Sequence, residues 1–194
     1  MQPLSREFYS RDPKIVAMEL LGKILVRKLD DFQLKGKIVE TEAYYGKEDP
    51  ASRARKGKLP HCELMWSDPG KAFIYMVHGN WLLNVVTLPR GIPGAVLIRA
   101  IEPLEGIELM MKNRKSKDIK NLTNGPGKLT QALKITNKLN GIDLTSKQSE
   151  LRIETNIAQE KIEIERSFRI NVSQDMKEPL RFYIKNNPFV SKIF

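Results

Sequence analysis

Apolar residues alternate with polar ones through most of this chain, and helical spacing is confined to a few short stretches. Asp12 and Pro13 precede apolar Ile15, Val16, Leu20 and Leu21, and Gly22 follows. An acceptor at the N-cap, a proline in the first turn and a glycine stop predict a short helix. Residues 24–29 and 35–44 then read as two strands of a hairpin turning at Asp30-Asp31. Three further strand-like runs, 72–78, 81–87 and 95–101, are separated by HGN and by PRGIPG. A helix is predicted over 102–114 after Pro103, and another opens at NGPGK and carries Leu129, Ala132 and Leu133. The last third alternates strand-like LRIETN, KIEIER and PLRFYI with polar turns. Strands dominate, and hairpin-length links outnumber crossovers. The fold class expected is α+β, a single compact domain spanning residues 1–194, with a largely antiparallel curved β-sheet and a few flanking helices.

Within the second strand, GKIVETEAYYG places two carboxylates and a tyrosine on one face, because side chains alternate along a pleat and Glu40, Glu42 and Tyr44 fall in step. Three readings compete. The face could be the solvated side of an edge strand. The two glutamates, with backbones roughly 6.6 Å apart at ~3.3 Å per residue, could serve as the paired carboxylates of an inverting sugar hydrolase. A single glutamate beside an aromatic ring could also act as a general base. The loop over 46–70 is long for an idle connection.

Composition narrows the field. The chain has 33 Lys and Arg against 23 Asp and Glu, a net charge of +10, which favours polyanionic partners, nucleic acid first. It also weakens the sugar-hydrolase reading, whose cleft gains nothing from such a charge. A single cysteine, Cys62, leaves no internal disulfide or thiolate metal cage, and two histidines, His61 and His78, offer little for zinc. Metal-free, cofactor-free chemistry is expected. A zinc-dependent base deaminase is excluded, because H-x-E and P-C-x-x-C are both missing. The N-terminal MQPLSREFYSRDPK has no apolar core of a signal peptide, and no run reaches the roughly 18 apolar residues of a membrane span. An intracellular protein, with no membrane partner, is expected.

Five segments, IVETEAYYG, GKAFIYMVHG, VLIRAIEPLEG, NGPGKLTQAL and PLRFYIKNNPFVS, occur in an order that resembles the alkyladenine (3-methyladenine) DNA glycosylase family over about Leu20 to Ser191. The resemblance implies a monofunctional base-excision repair enzyme, nucleoid-associated and monomeric. Such an enzyme flips an alkylated or deaminated purine out of double-stranded DNA and hydrolyses its N-glycosidic bond with water, using no cofactor. Glu42 falls on the general base and Arg99 on an arginine beside the catalytic water. Tyr44 and Tyr75 fall on aromatic pocket walls, and Asn84 on an asparagine that limits which purines fit. Glu40 matches no catalytic role and is expected to orient or support. Only the resemblance argues against a lyase using a lysine Schiff base.

Two departures stand out. Where the family reads D-x-A-S-H, this chain has Asp49-Pro-Ala-Ser-Arg53, so Arg53 replaces a histidine that contacts the flipped base. A fixed cation there should disfavour cationic lesions unless it turns outward, and could donate to an acceptor such as the O6 of hypoxanthine. His61 is a candidate for the missing imidazole. At the hairpin tip, His78 takes the place of the tyrosine that fills the gap left by the flipped nucleotide, and Trp81 or Met76 could assist, although Trp81 also suits simple core packing. Arg55, Lys56 and Lys58, with Lys128 at the glycine-rich helix start, are candidate phosphate contacts. The rival reading is a non-catalytic or altered-specificity nucleic-acid-binding domain of the same fold.

Overall fold

The computed structural model describes residues 1–156 and 161–191. In chain order the elements are helices α1 (Arg6–Tyr9) and α2 (Pro13–Leu20), strands β1 (Ile24–Leu29), β2 (Phe32–Tyr44), β3 (Ala72–Val77), β4 (Asn80–Val86) and β5 (Ala95–Glu105), helices α3 (Ile107–Arg114) and α4 (Pro126–Ala132), and strands β6 (Leu151–Glu154), β7 (Ile164–Ser167) and β8 (Arg181–Ile184). The strands form one curled sheet in the order β3-β4-β5-β2-β1-β6, with β8 joining β2 and β7; every pairing is antiparallel, and with the helices the fold is α+β.

The long strand β2 organises the sheet. Its first half, Phe32 to Lys37, pairs with β1, whereas Glu40, Thr41 and Glu42 pair with Tyr183, Phe182 and Arg181 of β8. Along its other edge β2 follows β5, with register shifts between Ile38 and Glu40 and between Glu40 and Thr41. Such irregularities bend a strand and re-aim its side chains. The two glutamates therefore lie where β2 exchanges one neighbour for another.

Local chemistry explains most boundaries. Asp12 caps α2 by accepting from the Lys14 amide at 2.8 Å, with Pro13 in the first turn and Gly22 beyond the end at φ +82°. The β3–β4 turn places His78 and Gly79 at φ 47° and 76°, the left-handed pair that a two-residue hairpin turn needs.

The helix expected over 102–114 starts later. Residues 102–105 continue β5, pairing Lys37 with Glu102, Gly36 with Pro103 and Lys35 with Glu105. Ion pairs Lys37–Glu102 at 3.0 Å and Lys35–Glu105 at 2.7 Å reinforce that register. Pro103, which cannot donate, sits next to a register shift, where a lost ladder bond is tolerated.

The main core lies between the sheet and helices α2 and α4, around Leu20, Leu25, Ile38, Ile98, Leu129 and Phe182. A second core, of Ala54, Cys62, Met65, Phe73, Val86 and Ala95, is built by the 46–70 loop through 3-10 turns at Arg53–Lys56 and Glu63–Trp66. That loop is therefore packed structure, and it supports Tyr75 from behind.

Candidate active site

Glu42 has no solvent exposure. Its Oε2 accepts from the Tyr44 hydroxyl at 2.8 Å, while Oε1 accepts from the Ile170 amide at 2.8 Å and lies 3.2 Å from Arg99 Nη1. Arg99, opposite on β5, donates Nε to Glu40 Oε1 at 2.9 Å. Glu40, also wholly buried, accepts further from Arg181 Nε, Ser191 Oγ and the Ser191 amide, each at 2.7 Å. Two carboxylates and two guanidinium groups thus form a buried group whose formal charges cancel, with a hydrogen bond for each charge. Burial opposes the charge on Arg99, yet Glu42 and Glu40 outweigh it and hold its pKa above the ordinary arginine value. Burial, and next to it the Glu42 charge, push the Tyr44 hydroxyl well above an ordinary tyrosine, so it remains a donor to Glu42.

Above this group opens a cavity of about 770 Å³. Tyr44, Tyr75, Arg53, Arg55, His78, Arg99, Arg114 and Lys128 line it, together with the 125–127 turn and residues 170–174, and no carboxylate is among its lining residues. Each tyrosine ring carries a guanidinium. Arg169 lies 4.5 Å from the Tyr44 centroid and is neutralised by Asp49, which takes two bonds of 2.7 Å, and by Asp175. Arg53 lies 4.7 Å from the Tyr75 centroid. Burial raises the Tyr75 hydroxyl, with Arg53 opposing it in part.

A model of the methylpurine-DNA glycosylase family matches residues 7–188. The chain belongs to that family. Relatives from Prosthecochloris aestuarii (48% identical, covering 96% of this chain and 90% of the relative), Carboxydothermus hydrogenoformans (46%, 97% and 98%) and Desulfitobacterium hafniense (44%, 98% and 99%) are each provisionally named 3-methyladenine DNA glycosylase. Membership makes this chain a DNA glycosylase, a hydrolase of N-glycosyl bonds in DNA repair.

Of the residues singled out in the sequence, the glycosylase fold brings Tyr44, Tyr75, Arg53, Arg55, His78, Arg99 and Lys128 to one cavity. Glu42 lies directly behind its wall, held by Tyr44 and Arg99. Asn84 is 2% exposed, does not line the cavity, and donates its amide to the Phe73 carbonyl at 3.1 Å. Lys56, Lys58 and His61 are exposed and away from the cavity lining, so His61 does not stand in for the replaced imidazole. Trp81 packs against the main core, and Met76, 48% exposed, is not among the cavity-lining residues. Sequence reasoning missed Arg169, Arg181, Arg114 and the Ile170 amide. Arginines inside the apolar runs FRI and LRF were a usable signal, since an arginine at a core-facing position is there to meet a carboxylate. Among the described residues no group of three or more His, Cys, Asp or Glu could hold a metal, and no helix is long and apolar enough to cross a membrane.

Proposed function

We propose that this glycosylase takes a damaged purine nucleotide out of duplex DNA, seats the base between Tyr44 and Tyr75, and cleaves its N-glycosidic bond with a water that Glu42 orients and deprotonates. The observation that carries the reading is Glu42 itself, a fully buried carboxylate fixed by Tyr44, Ile170 and Arg99 at the wall of a cationic cavity. A base has to leave the stack before its glycosidic bond can be reached, and aromatic faces repay part of that cost. As the bond breaks, its electron pair leaves with the purine and positive charge grows on the sugar. An ionised carboxylate opposes that charge while it accepts the proton of the attacking water, whose oxygen bonds to the sugar carbon. Arg55, His78, Arg114 and Lys128 on the rim suit phosphate and duplex contacts. The names of the relatives make 3-methyladenine the first lesion to examine.

Single-turnover release of methylated purines from alkylated duplex tests this. Wild type should release base, and Glu42→Gln should bind the same duplex while its release rate drops by at least about 100-fold, the scale of a lost general base. Release at an undiminished rate by Glu42→Gln would remove Glu42 from the chemistry.

A further inference from the structure

The two guanidinium groups at the pocket tyrosines differ in a way that bears on substrate choice. Arg169 is sealed in, its side chain wholly buried and its charge met by Asp49 and Asp175. Arg53 lines the cavity, and among the described residues no carboxylate forms an ion pair with it. Asp49, the acid four positions earlier on the same loop, is already committed to Arg169. No carboxylate is among the described residues that line the cavity, and Glu42 behind its wall is already paired with Arg99, so the Arg53 charge has no ion-pair partner there.

We infer that Arg53 is a specificity-determining residue, ranking neutral 6-oxopurines with an unsubstituted N7 above purines made cationic by alkylation. The inference rests on the glycosylase reading of the cavity. A cationic base brought to Tyr75 meets a guanidinium on the ring that would otherwise favour it, and like charges in a shielded site repel. A neutral base meets no such repulsion. The planar donor fork of arginine also matches the O6 and N7 acceptors of a 6-oxopurine, which it can engage together. Hypoxanthine keeps both acceptors and is neutral, whereas 7-methylguanine has lost N7 to the methyl group and carries the charge. Guanine presents the same edge, so Arg53 does not separate it from hypoxanthine. Firm pairing protects guanine, since a damaged or mismatched base costs least to unstack.

The test compares single-turnover release of hypoxanthine and of 7-methylguanine from otherwise identical duplexes by wild type, Arg53→Met and Arg53→Lys, with thermal melting to verify the fold of each. Arg53→Met should speed release of 7-methylguanine and slow that of hypoxanthine, moving their ratio by on the order of tenfold, which ~1.4 kcal/mol commands. Arg53→Lys keeps the charge without the fork, so it should lose the hypoxanthine advantage and still discriminate against 7-methylguanine. A ratio unmoved in both variants, or both rates falling together, overturns the role of Arg53 while leaving the glycosylase reading intact. Wild type that binds both duplexes and releases neither base overturns both.

Discussion

Taking the charge from Glu40 would leave Arg99 and Arg181 buried with one carboxylate between them. Arg99 and Arg181 expose 7% and 2% of their side chains, and Glu40 gives them their shared acceptor at 2.9 and 2.7 Å. Glutamine keeps the shape but turns an amide N–H₂ toward donors that need an acceptor. Breaking one partner out of a buried, hydrogen-bonded charge group costs about 3–5 kcal/mol, so the urea midpoint of Glu40→Gln should fall accordingly. Base release should slow as well, measured where both proteins remain folded, because Arg99 loses the anchor that sets its distance to Glu42. A Glu40→Gln protein as stable as wild type would mean that the buried charges do not depend on one another. The sugar-hydrolase reading gains nothing from this geometry, since its second carboxylate, Glu40, accepts four hydrogen bonds from Arg99, Arg181 and Ser191, and of these partners only Arg99 lines the cavity.

Elements meet at the cavity mouth through close backbone approach, and Gly127 is the clearest case. A Cβ there would fall 2.8 Å from Asn80 Cβ and 2.9 Å from its Cγ, at the base of the β3–β4 turn. The start of α4 and the hairpin tip carrying His78 are thus packed glycine against side chain, and the Thr130 hydroxyl donates to the Trp81 carbonyl at 2.7 Å just beyond. Gly127→Ala should destabilise by about 1–3 kcal/mol through overpacking and weaken duplex binding, because His78 and Lys128 would no longer be held at a fixed separation. Unchanged affinity for duplex would show that the two elements contact DNA independently. In sequence NGPGKL reads as a loose glycine-rich helix start, and only the neighbouring hairpin reveals what Gly127 is for. The same division runs through the molecule. Alternation and turn residues, both local, locate the β1–β2 hairpin, β3, β4 and the ETEAY strand. The extension of β5 through Pro103 depends on pairing with residues 35–37, far away in sequence, and a helix was the local reading. Glu42 and Tyr44 were legible because they share a strand, whereas the Ile170 amide and Arg181 reach the glutamates across 128 and 141 residues.

Over the whole molecule, burial gives the tyrosines a common direction. All five, Tyr9, Tyr44, Tyr45, Tyr75 and Tyr183, have their hydroxyls raised above the ordinary value of 10.0, and in each burial is the largest cause. Carboxylates add to it at Tyr44 through Glu42, at Tyr45 through Asp12 and at Tyr183 through Glu165. A group whose pKa is higher in the folded state ionises first in the unfolded chain. Its contribution is complete below the unfolded value and is lost as pH rises toward the folded one. The melting temperature should therefore change little from about pH 7 to pH 9, then fall steeply above about pH 10, where unfolded tyrosines ionise. Phenolate absorbance should grow together with loss of the fold rather than ahead of it. Tyr9 isolates the effect from the active site, because its buried hydroxyl has no hydrogen-bond partner among the described residues and its ring is fully enclosed. Tyr9→Phe removes an unpaired polar atom, so stability near neutral pH should hold or rise. The alkaline slope should become shallower, because one fewer group ionises on unfolding. A slope identical to wild type would mean that Tyr9 titrates equally in both states and that its burial does not oppose the phenolate.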